Sequence, residues 1–212
     1  MWTSRKPGLF RAGIWTIFAE KYTCMEQLTS ECSHDCGIPS FSQGGRIILR
    51  PWKDEDAEVL FKHASDPDVG PRAGWEPHKS IEESLEIIRT VFNNDTTWAI
   101  ALRETGEPVG AIGYGPSCEC GLPAREGEPT VGYWVAKPYW NRGICTEALR
   151  MMIDEARSHE GIISLISGHF TDNPASGRVM EKCGFVPTGE TIYDNSLACG
   201  SDRPVRVLRL EF

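Results

Sequence analysis

Apolar positions from Arg46 onward follow two alternating periods, one near 2 and one near 3.6. Ile47 and Leu49 alternate in a short strand that stops at Pro51. Ala57, Leu60, Phe61 and Ala64 then recur at helical spacing and end before Asp66-Pro67. A second helix is predicted to open at Ser80, where Glu83 completes a capping box, and to bury Ile81, Leu85, Ile88 and Phe92. Trp98, Ile100 and Leu102 return to period two. The turn Glu104–Glu107 folds that strand onto a partner over Val109–Tyr114, both halves reading as half-buried.

The second half of the chain repeats the alternation. A Gly-, Pro- and Cys-rich loop, 115–129, precedes a strand over Thr130–Ala136, a short loop, and a helix with Ala148, Leu149, Met152, Ile153 and Ala156 on one face. Ile162–Phe170 reads as an apolar strand. Asn173, Pro174 and Gly184 bracket a further helix as cap, first position and stop. Thr191–Tyr193 and Val205–Phe212 close the pattern as strands. The succession predicts an α/β domain over residues 46–212. Residues 1–45 form an extension, with a helix predicted over Leu9–Leu28, a loop from Thr29 and an alternative start at Met25.

Composition narrows the function without naming it. With 212 residues, 40% hydrophobic and 25% charged, the chain suits one sizeable folded domain. A formal net charge of -8 argues against binding nucleic-acid backbones and suits a cationic or amine substrate. No run of about 18 apolar residues is present, so no membrane partner is expected, and a cytoplasmic location is. The eight cysteines lack disulfide-like spacing. Cys145 and Cys183 read as small buried residues within helices. Cys32/Cys36 and Cys118/Cys120 lack paired zinc-ligand spacing, so no metal is expected.

The loop before the long helix carries the first chemical signal. A glycine at a helix start, here Gly143, aims several backbone N–H groups at one point, where the helix dipole adds positive charge. Arg142 adds a formal charge. Such a turn suits a pyrophosphate, but many helices begin with a glycine turn, and on these grounds alone a purely structural turn is the better reading.

Two longer blocks decide between these. Val131-Gly-Tyr-Trp-Val-Ala-Lys-Pro-Tyr-Trp-Asn-Arg-Gly-Ile-Cys-Thr-Glu-Ala-Leu149 resembles the strand, pyrophosphate loop and helix of the GNAT acetyltransferase superfamily, and is most similar to the branch of Rim-type ribosomal-protein N-terminal acetyltransferases. Asn173-Pro-Ala-Ser-Gly-Arg-Val-Met-Glu-Lys-Cys-Gly-Phe185 resembles that branch's second block. Arg46–Trp52, with Asp54 and Asp56, resembles its first strand and helix.

The resemblance implies a mixed, mostly antiparallel central sheet flanked by helices, with a splayed strand pair holding acetyl-CoA as cosubstrate. Tyr133, Trp134 and Val135 would pair with the pantetheine arm through their backbone. Amides of Asn141, Arg142, Gly143, Ile144, Cys145 and Thr146 would hold the pyrophosphate. Asn173 matches a position on the cofactor's arm, and Ser176 one near the thioester sulfur. Trp140 and Cys145 replace the family's usual first and last loop residues.

Acetyl transfer to an amine needs a neutral amine, a stabilised oxyanion and a protonated leaving thiolate. Resemblance implies the oxyanion donor is the N–H near Val135. Related sequences often carry Glu where this one has Thr130. Glu128 is the nearest carboxylate, either a water-linked base or a solvated loop residue. Tyr133 is a site-lining candidate or a packed strand residue. Ser176 is a proton donor or a local cap. Trp75 and His78, in the loop between the first two predicted helices, could line the acceptor pocket or lie at the surface, and His169 reads as a core edge. The expected activity is direct acetylation of a protein N-terminus or small amine, with a homodimer left open. The alternatives are an antibiotic- or polyamine-type acetyltransferase and a non-catalytic acyl-CoA sensor.

Overall fold

A computed structural model describes residues 45–116, 121–194 and 202–212. The predicted helix over Leu9–Leu28, Met25 and the pairs Cys32/Cys36 and Cys118/Cys120 lie outside the described residues. Seven strands form one sheet in the order β1-β2-β3-β4-β5-β7-β6. In chain order these are β1 (Ile47–Arg50), β2 (Thr97–Leu102), β3 (Pro108–Gly115), β4 (Thr130–Val135), β5 (Ser164–Phe170), β6 (Val186–Asp194) and β7 (Arg203–Glu211). The helices are α1 (Ala57–Ala64), α2 (Gly70–Ala73), α3 (Ile81–Thr90), α4 (Ile144–Arg157) and α5 (Pro174–Lys182). All neighbouring strands run antiparallel except β4 and β5. The mixed, mostly antiparallel sheet is the one the resemblance implied.

Strand alternation divides the core in two. Val131, Tyr133 and Val135 of β4 pack with Ile144, Ala148 and Met152 of α4, while Trp134 faces Leu60 of α1 and Ile88 of α3. Helices therefore cover both faces. This corrects the half-buried reading of the β2–β3 hairpin, since every residue of β3 is buried. Two further expectations shift. Ile81 is 39% exposed, leaving Ile88 and Phe92 as the buried anchors near α3. Asn173 precedes α5 without capping it; its side-chain amide instead donates to the Arg72 carbonyl at 3.2 Å. The short helix α2, which no periodicity announced, thereby ties to the start of α5. Among the described residues, no helix is long and apolar enough to cross a membrane.

α4 buries one misfit. Oε2 of Glu155 and the Tyr114 hydroxyl lie in the interior with no hydrogen-bond partner of ordinary length. Burial raises the Glu155 carboxyl above the carboxylate range, against the pull of Tyr114 and of His159, whose Nδ1 is 3.4 Å from Oε1. A carboxyl raised in the folded state stabilises below its unfolded pKa, and that stability is lost as pH rises through the folded value. Glu155→Gln is therefore expected to raise Tm by roughly 2–4 °C at pH 8. The gain should vanish toward pH 4, and thermal melts across this range would check it; an equal gain at both ends would assign the effect to packing instead.

Candidate active site

Among the described residues, the only bridge between β4 and β5 is Thr130 with Ile166. One more tie follows, from the Ser167 hydroxyl to the Val131 carbonyl at 2.9 Å. Beyond it the strands diverge, and β4 from Gly132 to Val135 presents an edge with no ladder partner on the β5 side. A cavity of about 510 Å³ opens in this gap, bounded by β4, β5, α2, α5 and the start of α4. Its walls include Trp134, Tyr139 and Phe170, and among the described residues they include no Asp or Glu.

The loop into α4 forms one end of the cavity. Asn141 (φ 59°) and Gly143 (φ 77°, the residue before α4) both adopt the left-handed conformation. Alternating backbone hands curl successive N–H groups around one point, an anion-binding concavity. The amides of Asn141 to Thr146 have no backbone partner among the described residues, whereas Glu147 N returns to Gly143 O at 3.0 Å. Trp140 shapes the turn by donating its indole N–H to the Val135 carbonyl at 2.6 Å. The Arg142 guanidinium lies over the Tyr139 ring, 5.6 Å from its centroid, and does not reach the cavity wall. Glu147 fastens the loop to the sheet by accepting the Arg46 N–H at 2.8 Å.

Tyr133 crosses the gap to α5. Its hydroxyl donates to the Ser176 carbonyl at 2.9 Å and lies 3.0 Å from Ser176 Oγ. Burial pushes the Tyr133 phenol well above its usual value, so it stays protonated. His169 lines the cavity from β5. Its Nδ1 is 2.8 Å from the Phe170 carbonyl and so carries the proton, and a Cβ on Gly177 would lie 2.6 Å from its Nε2. Cys145 lines the wall at the first turn of α4, its thiol raised by burial and by Cys183.

The structure thus gathers Tyr133, Trp134, Val135, Asn141, Gly143, Ile144, Cys145, Thr146, Asn173 and Ser176 around one cavity. Glu128, Trp75 and His78 are not on its wall. Glu128 is 3% exposed rather than solvated. It accepts from the Arg209 guanidinium (Nη2–Oε2 3.1 Å), the Ser164 hydroxyl (2.8 Å) and the Arg125 N–H (2.9 Å). Burial alone would raise this carboxyl, but those three donors hold it below the carboxylate range. Trp75 packs edge-on behind Trp134 with centroids 5.6 Å apart. His78 Nδ1 is 2.8 Å from Ser84 Oγ, and burial lowers its imidazole pKa, against the pull of Glu83.

Sequence reasoning passed over Arg72, Arg178 and Lys182, which line the cavity. The α5 pair carries a legible signal, two cations four residues apart on a helix beginning at the Asn173 block. Arg72 carries none, because its position depends on α2. Among the described residues, no group of three or more His, Cys, Asp or Glu is placed to hold a metal ion.

Comparison with known proteins matches this geometry. The Acetyltransferase (GNAT) domain family matches residues 46–186. The chain is 30% identical over 158 residues to the uncharacterized N-acetyltransferase YoaA of Bacillus subtilis (strain 168), spanning 71% of this chain and 86% of that protein. A GNAT-family acetyltransferase from Bacillus anthracis shares the fold with a TM-score of 0.66 at 18% identity, covering 81% of this chain and 98% of that one. The spermidine N-acetyltransferase from Vibrio cholerae, solved with CoA and spermine, does so with a TM-score of 0.62 at 13% identity, covering 78% and 95%. With a family match over most of the sheet and a splayed strand pair ending in an anion-binding helix start, the chain belongs to the GNAT acetyltransferase family and is an acetyl-CoA-dependent acyltransferase.

Proposed function

We propose that the chain acetylates a single, weakly basic primary amine, a protein N-terminus above all, by direct attack within the β4–β5 gap. The charge of the cavity carries this choice. On its α2 side it carries Arg72, and no carboxylate stands among the described lining residues, in a chain of net charge -8. A polyamine or aminoglycoside brings several ammonium groups, for which such a wall offers no counter-charge. An α-amine, with an ordinary pKa of about 7.7–8.0, is partly neutral near pH 7.5 and needs little help from a base.

The residues present fit acetyl-CoA, which when bound supplies an activated thioester. Amides of Asn141 to Thr146 bind the pyrophosphate, helped by the dipole of α4. The unpaired edge of β4 at Tyr133–Val135 takes the pantetheine arm as an added strand, with Asn173 on its far side. The N–H near Val135 donates to the carbonyl oxygen that gains charge. Ser176 Oγ would hand its proton to the leaving sulfur and take up the proton released by the attacking amine, so that CoA leaves as the thiol and the serine is restored, and the protonated Tyr133 hydroxyl beside it keeps that serine oriented. Trp75 and His78 act from behind the wall, holding Trp134 in place. Glu128 belongs to the framework.

Steady-state turnover with a peptide bearing a free α-amine, with spermidine and with an aminoglycoside tests the reading. The peptide should exceed both polycations by about 100-fold in kcat/KM. Preference for spermidine or the aminoglycoside would reverse the acceptor assignment. Tight CoA binding without turnover on any acceptor would favour the sensor.

A further inference from the structure

Five cations surround the start of α4, and three are already engaged. Arg46 pairs with Glu147 at 3.3 Å, Arg142 lies over Tyr139, and Arg150 donates to the Lys182 carbonyl at 3.2 Å. The remaining two, Arg178 and Lys182, stand four residues apart on one face of α5. Both line the cavity, both are exposed, and among the described residues neither charged group has an ion-pair or hydrogen-bond partner. Like charges at this spacing repel and weaken a helix. The helix dipole accounts for a cation at Lys182, in the last turn, but not for Arg178 near the middle.

The end of α5 is held against the first turn of α4. Cys183 Sγ approaches the Thr146 carbonyl at 3.6 Å, and the Arg150 contact ties the same two helices. The two unpaired cations therefore flank the loop amides. A diphosphate at those amides uses the dipole and the N–H groups. A second, separate phosphate on the same ligand needs side-chain charge of its own. We infer that Arg178 and Lys182 recognise the 3′-phosphate of coenzyme A, and so make the enzyme select CoA thioesters over their 3′-dephospho forms. This rests on the reading of the cavity as the acetyl-CoA site.

The test crosses a change in the protein with a change in the ligand. Calorimetric titration of the full chain and of R178Q/K182Q with acetyl-CoA and 3′-dephospho-acetyl-CoA, at low and moderate salt, gives four affinities at each salt. The wild type should bind acetyl-CoA about tenfold more tightly than the dephospho form at low salt, with the preference shrinking as salt is added. In the double variant the two ligands should bind within about twofold of each other, the loss falling on acetyl-CoA alone. Equal binding of both ligands by the wild type would overturn the inference. So would a variant that loses equally toward both, which would place the cations on the shared pyrophosphate. A wild type that binds neither ligand would overturn the acetyl-CoA reading itself.

Discussion

Replacing Gly143 with valine is expected to raise the dissociation constant for acetyl-CoA by about 100-fold or more in a protein that still folds. Gly143 sits at φ 77° and ψ 1°, immediately before α4. A left-handed residue with a Cβ costs roughly 1–2 kcal/mol, and a β-branched side chain there is a severe outlier. The added Cβ would also stand 3.3 Å from Arg46 Nη2, the far end of a side chain that can move. Relief comes most cheaply by rotating the loop out of its left-handed turn, which disperses the amides of Asn141 to Thr146. The core beneath is untouched, since Ile144, Ala148 and Met152 hold α4 against the sheet. Gly143→Asn separates conformation from bulk, because asparagine tolerates the left-handed region; it should keep affinity within about tenfold. Calorimetry on both variants, beside thermal melts, gives the answer. Wild-type affinity in the valine variant would remove this loop from the cofactor site.

Glu128→Ala is the second large effect, and it should appear in stability rather than in turnover. Glu128 joins the segment before β4 to Ser164 of β5 and Arg209 of β7, and the Arg209 side chain is only 14% exposed. Removing one partner of a buried ion pair leaves the other charge uncompensated, a loss of about 3–5 kcal/mol. Pairing it with Arg209→Met should recover much of that loss, since the stranded cation is gone. A carboxyl depressed in the folded state stabilises above its unfolded pKa, so the contribution of Glu128 is lost as pH falls through the folded value. Chemical denaturation of the single and double variants, with kcat measured well below the melting range, distinguishes the roles. A general base would instead lower kcat by about 10²–10⁴ with stability intact.

Both effects depend on what the chain reveals at different ranges. Local chemistry was legible. Apolar periods and runs, with cap and stop residues at α5, located the seven strands and four of the helices among the described residues, because these signals are written in consecutive residues. The loop at Gly143 was legible too, since a left-handed helix start restricts which residues can occupy it. The resemblance of two ordered blocks then supplied the family, which periodicity alone does not carry.

What escaped the sequence is what depends on distant partners. Glu128 read as a water-linked base or a solvated loop residue because its burial is set by Arg209, 81 positions away. Trp75 and His78 read as candidates for the acceptor wall, and only packing puts Trp134 in front of them. The four-residue helix α2, which brings Arg72 to the cavity, is too short to show a period. A sheet whose neighbours β4 and β5 lie 29 residues apart at their nearest ends takes its shape from twist and helix packing, terms no local pattern contains. The sequence by itself determined most of the elements, the left-handed turn before α4 and the family. Tertiary structure alone decided that the gap between β4 and β5 lacks carboxylates on its described walls, because charge at a cavity depends on which distant side chains reach it.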